Sequence, residues 1–258
     1  MSATPATPLP EQLPASRTGS DGSVTVRVLS YNIRSMRDDE AALARVIAAC
    51  APDLVLVQEA PRFFRWRKHL ARLAHASGLY VLSGGATAAG PALLCSLRAA
   101  VERTEDVLLP RTPGLHQRGF ATAVVRVGGV RIGLVSCHLS LQKDERYAQS
   151  ALLLDQVRRF DEAGVRHVIA GGDLNERPDG RSFRRLSGAL QDAWCAGPWG
   201  GEQTSTPADP HQRIDAILTT PGIEVLGCGV PTGLPAHDLR AATDHLPVLA
   251  ALRIPAPA

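Results

Sequence analysis

Short apolar runs divide the chain into strands, and polar side chains follow at or beside their ends. Residues 24–32 (Val-Thr-Val-Arg-Val-Leu-Ser-Tyr-Asn) carry β-branched residues in alternation, which predicts a strand. Residues 53–59 (Asp-Leu-Val-Leu-Val-Gln-Glu) are apolar throughout their interior, which is typical of a strand covered on both faces. Further strands are predicted in residues 129–140, 168–170, 213–218 and 243–250. The chain therefore presents polar groups at six strand ends.

Helical spacing of apolar residues appears between these strands. One helix follows two capping aspartates and has an apolar stripe. A second helix begins near Asp144, and a third spans residues 181–190. In another, Phe63, Trp66, Leu70 and Leu73 follow helical spacing, and Arg62, Arg65, His69 and Arg72 lie on another face. That basic face either contacts a polyanion or is simply solvated, and the solvated face is favoured. Residues 78–127 predict a strand-rich meander broken by Gly and Pro.

The stretch 168–178 (Val-Ile-Ala-Gly-Gly-Asp-Leu-Asn-Glu-Arg-Pro) concentrates the candidate chemistry. Asp173 and Asn175 lie two residues apart, so in an extended chain both side chains are on one face. The preceding glycines allow a sharp turn and the close approach of a ligand. A carboxylate and a carboxamide suit a hard cation and a phosphate oxygen. Alternatively, both residues make Asx-type turns in an ordinary loop.

Composition narrows the class of protein only a little. The chain has 258 residues and a formal charge of 28 − 25 = +3, which is too small to indicate a nucleic-acid partner by itself. Its five scattered cysteines suit reduced thiols, no apolar run is long enough to span a membrane, and a cytoplasmic location is expected. Residues 1–22 are predicted to be a disordered tail, and residues 23–256 a single domain. The Gly/Pro-rich interval 196–210 is interpreted as a loop over a binding cleft.

Taken together, the strand-end motifs resemble those of the endonuclease/exonuclease/phosphatase superfamily, the group related to deoxyribonuclease I and exonuclease III. The resemblance covers residues 24–253, and its motifs occur in the family's order. They are Ser30-Tyr-Asn32, Val57-Gln-Glu59, Cys137-His-Leu139, Gly171-Gly-Asp-Leu-Asn175, Arg213-Ile-Asp215 and Thr243-Asp-His245. The resemblance implies an α/β (α+β) fold: a four-layer sandwich of two packed, mostly antiparallel β-sheets flanked by helices.

The resemblance also implies a catalytic divalent cation, usually Mg²⁺, with Mn²⁺ as the alternative. Carried over to this sequence, it makes Glu59 the principal metal ligand, with Asn32 assisting and Asp244 nearby. Asp173 would position or deprotonate the attacking water, and Asn175 would hold a phosphate oxygen. His245 would pair with Asp215, and His138 would donate to the phosphate. The chemistry agrees, because Mg²⁺ prefers one or two carboxylates with water and phosphate oxygen, and a buried carboxylate such as Asp215 needs a partner. Whether Asp173 or His245 is the general base stays open.

Three functions are compatible with this resemblance. A phosphodiester substrate is expected, with nucleic acid as the first choice and a nuclease of loose sequence preference as the leading hypothesis. The second is a phosphatase or phosphodiesterase of a small phosphorylated metabolite or lipid headgroup, and the third is a non-catalytic binding module of the same fold. His138 replaces the tyrosine of the exonuclease III branch, as in the deoxyribonuclease I-like and phosphatase-like members. Arg118, and Arg146 with Gln149, either face the cleft or are surface residues. No obligate protein partner is evident, and a monomer is expected.

Overall fold

The computed structural model describes residues 12–257, in which the chain forms thirteen strands and six α-helices. The strands are β1 (Arg17–Thr18), β2 (Val24–Asn32), β3 (Leu54–Gln58), β4 (Tyr80–Gly84), β5 (Ala92–Cys95), β6 (Ala99–Leu108), β7 (Gly119–Val127), β8 (Val130–His138), β9 (His167–Asp173), β10 (Gln191–Asp192), β11 (Asp215–Thr219), β12 (Glu224–Gly229) and β13 (Val248–Ile254). The helices are α1 (Glu40–Cys50), α2 (Trp66–Ala76), α3 (Lys143–Glu162), α4 (Arg181–Ala189), α5 (Ala193–Ala196) and α6 (Ala236–Ala242). Within residues 12–257, no helix has the length and apolar character needed to cross a membrane.

The strands form two sheets that are almost entirely antiparallel. The first has the order β12-β13-β2-β3-β5-β4, with β1 also paired to β2, and the second has the order β10-β11-β9-β8-β7-β6. Each contains one parallel pair, β2 with β3 and β8 with β9. Parallel neighbours need a crossover connection, and α1 and α3 supply it. The carboxyl ends of these two parallel pairs carry most of the predicted site residues.

Side chains alternate between two apolar environments along the central strands, and this alternation builds four layers. In β2, Val26 and Val28 belong to the core between the sheets, whereas Leu29 and Tyr31 belong to the core beneath α1, α2 and α6. In β8, Ile132 and Leu134 face the first sheet, while alternate residues pack with α3 and α4. Period-two alternation requires such a division when both faces of a strand are covered. The predicted sandwich of two mostly antiparallel sheets flanked by helices is confirmed.

The first crossover helix is capped as its sequence predicts. The Asp39 side chain accepts hydrogen bonds from the backbone N–H groups of Ala41 and Ala42 at 2.8 and 3.0 Å. These bonds satisfy two of the donors that a helix start leaves free. The helix ends at Cys50, and the next residue, Ala51, is in the left-handed region with φ 44°. Residues 40–50 thus return the chain to the start of β3, beside β2.

The structure differs from the sequence prediction between residues 63 and 127. Phe63 lies before α2 and is 81% exposed, so it is not part of that helix's apolar stripe. Residues 78–127 do not form one meander, because β4 and β5 belong to the first sheet whereas β6 and β7 belong to the second. The local pattern predicted strands but carried no information about which sheet each one joins.

The predicted disordered tail, residues 1–22, is only partly within the described residues, since residues 1–11 lie outside them. From residue 12 onward, the chain contacts the domain. Leu13 is buried, Ser16 hydrogen-bonds to Asp53, and β1 pairs with β2. These three contacts lie between residues 12–22 and the rest of the domain, and the disorder of the tail stays a prediction.

Candidate active site

The predicted site residues meet because they lie at the same edge of the sandwich and their side chains point into the space between the sheets. In the second sheet, Asp173 is in register with Asp215 on one side and with His138 on the other. Asn32 ends β2 of the first sheet, and its side-chain Nδ2 lies 3.1 Å from Asp173 Oδ2. Because side chains alternate along a strand, all four share the inter-sheet face with the apolar residues deeper in the sandwich.

Asn32 lies at the centre of the cluster and is 1% exposed. Its Nδ2 donates to Glu59 Oε1 at 3.2 Å and to Asp173, and it lies 3.5 Å from His245 Nε2. Its carbonyl oxygens are held as well, since the Arg34 backbone N–H donates to Asn32 Oδ1 and Thr243 Oγ1 donates to Asn32 O. This one carboxamide therefore fixes the relative positions of the groups from both sheets.

Glu59 follows β3 in the left-handed backbone region, with φ 51°. Its side chain is half-buried and lines a cleft of about 320 Å³. Apart from the bond from Asn32, its carboxylate has no hydrogen bond or ion pair within residues 12–257. A half-buried carboxylate with one oxygen that has no partner in the described residues fits a hard cation that also keeps water ligands. Glu59 therefore fits Mg²⁺ or Mn²⁺, whereas Asn32 turns Nδ2 toward Glu59 and Oδ1 toward the Arg34 backbone N–H.

His245 and Asp215 form a buried pair. His245 Nδ1 lies 2.9 Å from Asp215 Oδ2, and Asp215 is 2% exposed. Burial opposes protonation of His245, but the negative charges of Asp215, Asp173 and Asp244 outweigh it and raise the pKa of His245 to about 10. The imidazole is therefore protonated at neutral pH, with Nε2 directed toward Asp173 at 3.8 Å. The backbone N–H groups of residues 214 and 215 both donate to Thr204 Oγ1 and hold this strand start.

Asp173 is a buried acid with an unusually high pKa. Burial is the main cause, followed by the charge of Asp215, and together they raise the pKa of Asp173 to about 7. His138 Nε2 lies 3.4 Å from Asp173 Oδ2, and burial and the nearby Arg118 hold the pKa of His138 well below its usual range. The edge thus carries a protonated histidine, a neutral histidine and a carboxyl group that titrates near neutral pH.

Asn175 and Asp244 have different surroundings. The Asn175 backbone N–H donates to Asp173 Oδ1 at 2.9 Å, and its Nδ2 donates to the Leu139 carbonyl, which leaves one amide hydrogen for a ligand in the cleft. The Asp244 carboxylate instead pairs with Arg34 Nε at 3.3 Å and is 46% exposed. Of the eight residues predicted for the site, seven form one network of contacts with Asp173 and Asn32, and Asp244 points to the surface beside them.

The two glycines before Asp173 serve the sheet rather than a turn. Gly172 has φ 148°, and a Cβ there would lie 1.9 Å from the Cys137 carbonyl oxygen of the neighbouring strand. A Cβ on Gly171 would lie 2.6 Å from the Ala216 carbonyl oxygen on the other side. The backbones of β8, β9 and β11 therefore approach more closely than side chains allow. This approach brings Asp173 into line with both His138 and Asp215.

A buried polar layer beneath the site was not found from the sequence. Ser136 Oγ donates to the Val57 carbonyl at 2.7 Å, and Gln58 Nε2 contacts Ser136 Oγ at 3.3 Å, so the two sheets are joined one row below the edge that carries Asp173. Ser30 Oγ donates to Gln58 Oε1 at 3.4 Å. The available signal was position: Ser30 and Ser136 each precede a site residue by two and share its face.

Cationic side chains line the cleft around these groups. Arg37, Arg62 and Arg118 contribute to its walls together with His116. Arg118, predicted to lie either in the cleft or on the surface, faces the cleft. Burial lowers the pKa of Arg118, and the negative charges of Asp173 and Glu59 counter that effect. Arg146 instead binds Glu176 and the backbone carbonyls of the loop after β8. Gln149 likewise accepts from the Ser140 backbone N–H.

The loop of residues 196–210 lies beside the site and packs on it. Ser205 forms a bridge with His245, and the Leu246 backbone N–H donates to the Thr204 carbonyl at 2.7 Å. Thr204 and Ser205 are buried. This loop therefore supports the His245–Asp215 pair from behind instead of arching over the cleft, which remains open next to Glu59 and Arg118.

Comparison with known proteins identifies the family of this chain. Residues 29–245 match the model of the Endonuclease/Exonuclease/phosphatase family. The chain belongs to this family. No curated protein matches it in sequence. Its resemblance to solved structures of the family is accordingly one of fold, at low sequence identity.

Three solved structures illustrate that resemblance. The endonuclease/exonuclease/phosphatase of Bacteroides vulgatus has a TM-score of 0.75 and 19% identity, over 89% of this chain and 99% of its own. The mannosyl-6-phosphatase of Bacteroides thetaiotaomicron has a TM-score of 0.75 and 18% identity, over 88% and 99%. Truncated TDP2 of Caenorhabditis elegans has a TM-score of 0.69 and 21% identity, over 88% and 97%. Such low identities establish the common fold and leave the substrate to be argued from the site.

Proposed function

We propose that this family member is a divalent-metal-dependent phosphoesterase that hydrolyses phosphodiester bonds in nucleic acid, with loose sequence preference. The observation that carries the choice of substrate is the shape and charge of the surface on both sides of Asn175. Membership of the family supports hydrolysis of phosphoesters, but the fold by itself supports several substrates.

Asn175 lines both the cleft that contains Glu59 and a second cleft of about 570 Å³. The second cleft also contains Lys143 and Arg177, together with the acids Glu176 and Asp179. Five cations along the two clefts have no carboxylate within 4.0 Å in the described part of the chain: Arg37, Arg62, Arg118, Lys143 and Arg177. Unpaired cations on both sides of a site favour an extended polyanion over a single phosphate, since each contributes by releasing a counterion.

Glu59 is the residue proposed to bind the metal ion, assisted by Asn32. A bound Mg²⁺ would neutralise charge on the phosphate and polarise its oxygen. Asp244 is proposed to act from the metal side only through its charge, which also favours the protonated form of His245. Glu59 is oriented for this task by the Asn32 amide, at 3.2 Å.

The remaining residues are proposed to handle the water and the phosphate. Asp173 would accept the proton of the attacking water, because an acid with a pKa near 7 combines sufficient ionisation with adequate basicity at neutral pH. His245, protonated and held by Asp215, would donate from Nε2 to the phosphate and stabilise its developing charge. His138 and Asn175 would donate to non-bridging oxygens from the wall of the second sheet. Under this proposal Asp173, and not His245, is the general base.

A small phosphorylated metabolite or lipid headgroup is the second candidate. The cleft that contains Glu59, about 320 Å³, is large enough for a ligand of that size by itself. One protein of similar fold is named a mannosyl-6-phosphatase. On this hypothesis the cations of the second cleft would have no part in turnover.

The two candidate functions predict different effects when the charges of Lys143 and Arg177 are removed. Mg²⁺-dependent cleavage would be measured on plasmid DNA and on bis-p-nitrophenyl phosphate, with Asp173→Asn as the inactive control. DNA affinity would be measured against salt for wild type and Lys143→Gln/Arg177→Gln. Nucleic-acid cleavage predicts that the salt slope falls by about 0.9 for each lost duplex contact. The matched control is Arg184→Gln, which removes an exposed arginine of α4 outside both clefts. Cleavage of the small ester without plasmid nicking would contradict the nucleic-acid proposal.

A further inference from the structure

An aromatic and basic segment, residues 62–68 (Arg-Phe-Phe-Arg-Trp-Arg-Lys), lies at the rim of the catalytic cleft. Phe63 and Phe64 are 81% and 82% exposed, although the whole chain has only five phenylalanines. The segment has four cations and no acid. None of the four has a carboxylate within 4.0 Å in the described residues, so the segment exposes its rings and its positive charge together. Adjacent exposed rings of this size indicate a binding surface.

The segment is fixed at both ends. Before it, the Ala60 backbone N–H donates to the Gly90 carbonyl at 2.8 Å. Within it, the Trp66 ring packs so closely on Gly85 that a Cβ there would lie 2.4 Å from the ring. Arg65 adopts the left-handed region and lies over the Phe64 ring at 5.1 Å. The two phenylalanines are thus presented by a braced turn, which reduces the entropy lost when a ligand orders them.

The position of the segment relates it to the substrate. Arg62 lines the cleft that contains Glu59, and its guanidinium contacts the Ala89 carbonyl of the same wall. Consecutive Cα atoms are about 3.8 Å apart, so Phe63 and Phe64 begin within two residues of the cleft. A strand whose phosphate occupies the cleft would carry its next bases over these rings.

We propose that Phe63 and Phe64 form a stacking subsite for the unpaired bases next to the scissile phosphate, so that the enzyme favours single-stranded nucleic acid or unpaired ends. Arg65, Arg67 and Lys68 contact the phosphates of the same strand. Stacking on a ring is tolerant of sequence, because every base has a π-face. The proposal rests on the proposed function and narrows its substrate class.

A membrane surface is the less favoured occupant. An interfacial helix inserts a broad apolar face, but the apolar residues of α2, Leu70 and Leu73, are buried in the core beneath the first sheet. Only the two phenylalanine rings would be left to insert. A nucleic-acid strand, in contrast, uses both the rings and the cations that alternate with them.

Fluorescence anisotropy in EDTA tests the subsite with two probes: a labelled single-stranded oligonucleotide, and the same backbone with abasic linkers. We expect wild type to bind the strand with bases at least about tenfold more tightly than the abasic strand. Phe63→Ala/Phe64→Ala and Phe63→Leu/Phe64→Leu should both lose this preference, and Phe63→Trp/Phe64→Trp should keep it. Leu97→Ala is the matched control, because Leu97 is 83% exposed and follows β5 at the opposite end of the first sheet.

Two results would overturn the subsite. One is an unchanged preference for bases in the alanine variant. The other is a leucine variant that keeps both the preference for the strand with bases and wild-type binding to phosphatidylserine vesicles, while the alanine variant loses vesicle binding. That result would assign the rings to a membrane. Failure of the proposed function looks different, since wild type would then cleave neither plasmid DNA nor the single-stranded oligonucleotide in Mg²⁺. Plasmid nicking by a protein whose alanine variant binds like wild type would reject the subsite alone.

Discussion

The charge of Asp215 should control the pH range in which the enzyme works, and Asp215→Asn tests this. Asp215 Oδ2 lies 2.9 Å from His245 Nδ1, and the side chain is buried between the sheets. Asparagine has almost the same size and can still accept a hydrogen bond, so the substitution removes the charge with little change in packing. Any effect on turnover therefore reports on the protonation of its partners.

The magnitude follows from the pKa of His245. Burial lowers this pKa, and Asp215 is the first of the charges that raise it to about 10 from the ordinary 6.5. With the ordinary value as the reference for the variant, only about 3% of His245 would be protonated at pH 8, compared with nearly all in wild type. Because the proposed role of His245 requires the proton, kcat/KM at pH 8 should fall about 30-fold.

The sign of the pH dependence is fixed by both acids. In wild type, activity should rise as Asp173 ionises, near pH 7, and fall as His245 loses its proton, near pH 10. Loss of the Asp215 charge lowers both pKa values, since that charge raises each of them. The whole bell-shaped profile of the variant should therefore move to lower pH.

The assay is the initial rate of bis-p-nitrophenyl phosphate hydrolysis in Mg²⁺ from about pH 5 to about pH 11, stopped and read at one alkaline pH. Thermal unfolding at each pH would verify that the variant remains folded over the range. An alkaline limb that stays in place in Asp215→Asn, with a rate at pH 8 within about threefold of wild type, would refute the role assigned to the pair.

Two further outcomes are expected. Glu59→Gln should weaken Mg²⁺ binding, measured calorimetrically, by at least about 100-fold, above the range for groups that only support a ligand; an unchanged affinity would exclude Glu59 as a ligand. Gly172→Ala should destabilise the protein in urea by about 2–4 kcal/mol, because its Cβ would meet the Cys137 carbonyl oxygen at a strained φ. Its control is Gly188→Ala on the exposed face of α4, where an added Cβ meets no atom within 4 Å. This substitution should increase the free energy of unfolding by about 0.5–1 kcal/mol. Equal effects of the two glycine substitutions would show that the close approach of β8 and β9 is not needed.

Much of the fold could be predicted because it depends on local periodicity. Val24–Asn32 was assigned with its observed bounds, and the helix behind it follows from Asp39 and an apolar stripe. The choice of sheet for β4 to β7 could not be predicted, since alternation states which face of a strand is apolar but not which strand lies beside it. For the same reason the partner of Ser136 in the other sheet, Gln58, could not be predicted, although the position of Ser136 two residues before His138 indicated which face it shares.

The sequence alone determined which residues are the candidates for the chemistry: an acidic, amide or imidazole side chain at or beside the end of each apolar strand, in an order typical of one family. Only the tertiary structure decided which of them lie together and which are buried. It brought Asp215 and His245, thirty residues apart, to 2.9 Å, and it turned Asp244 toward Arg34. It also buried Asp173 while leaving Phe63 in solvent. Protonation and exposure depend on neighbours distant in sequence, because charge and desolvation act through space, and those neighbours are set when the two sheets pack.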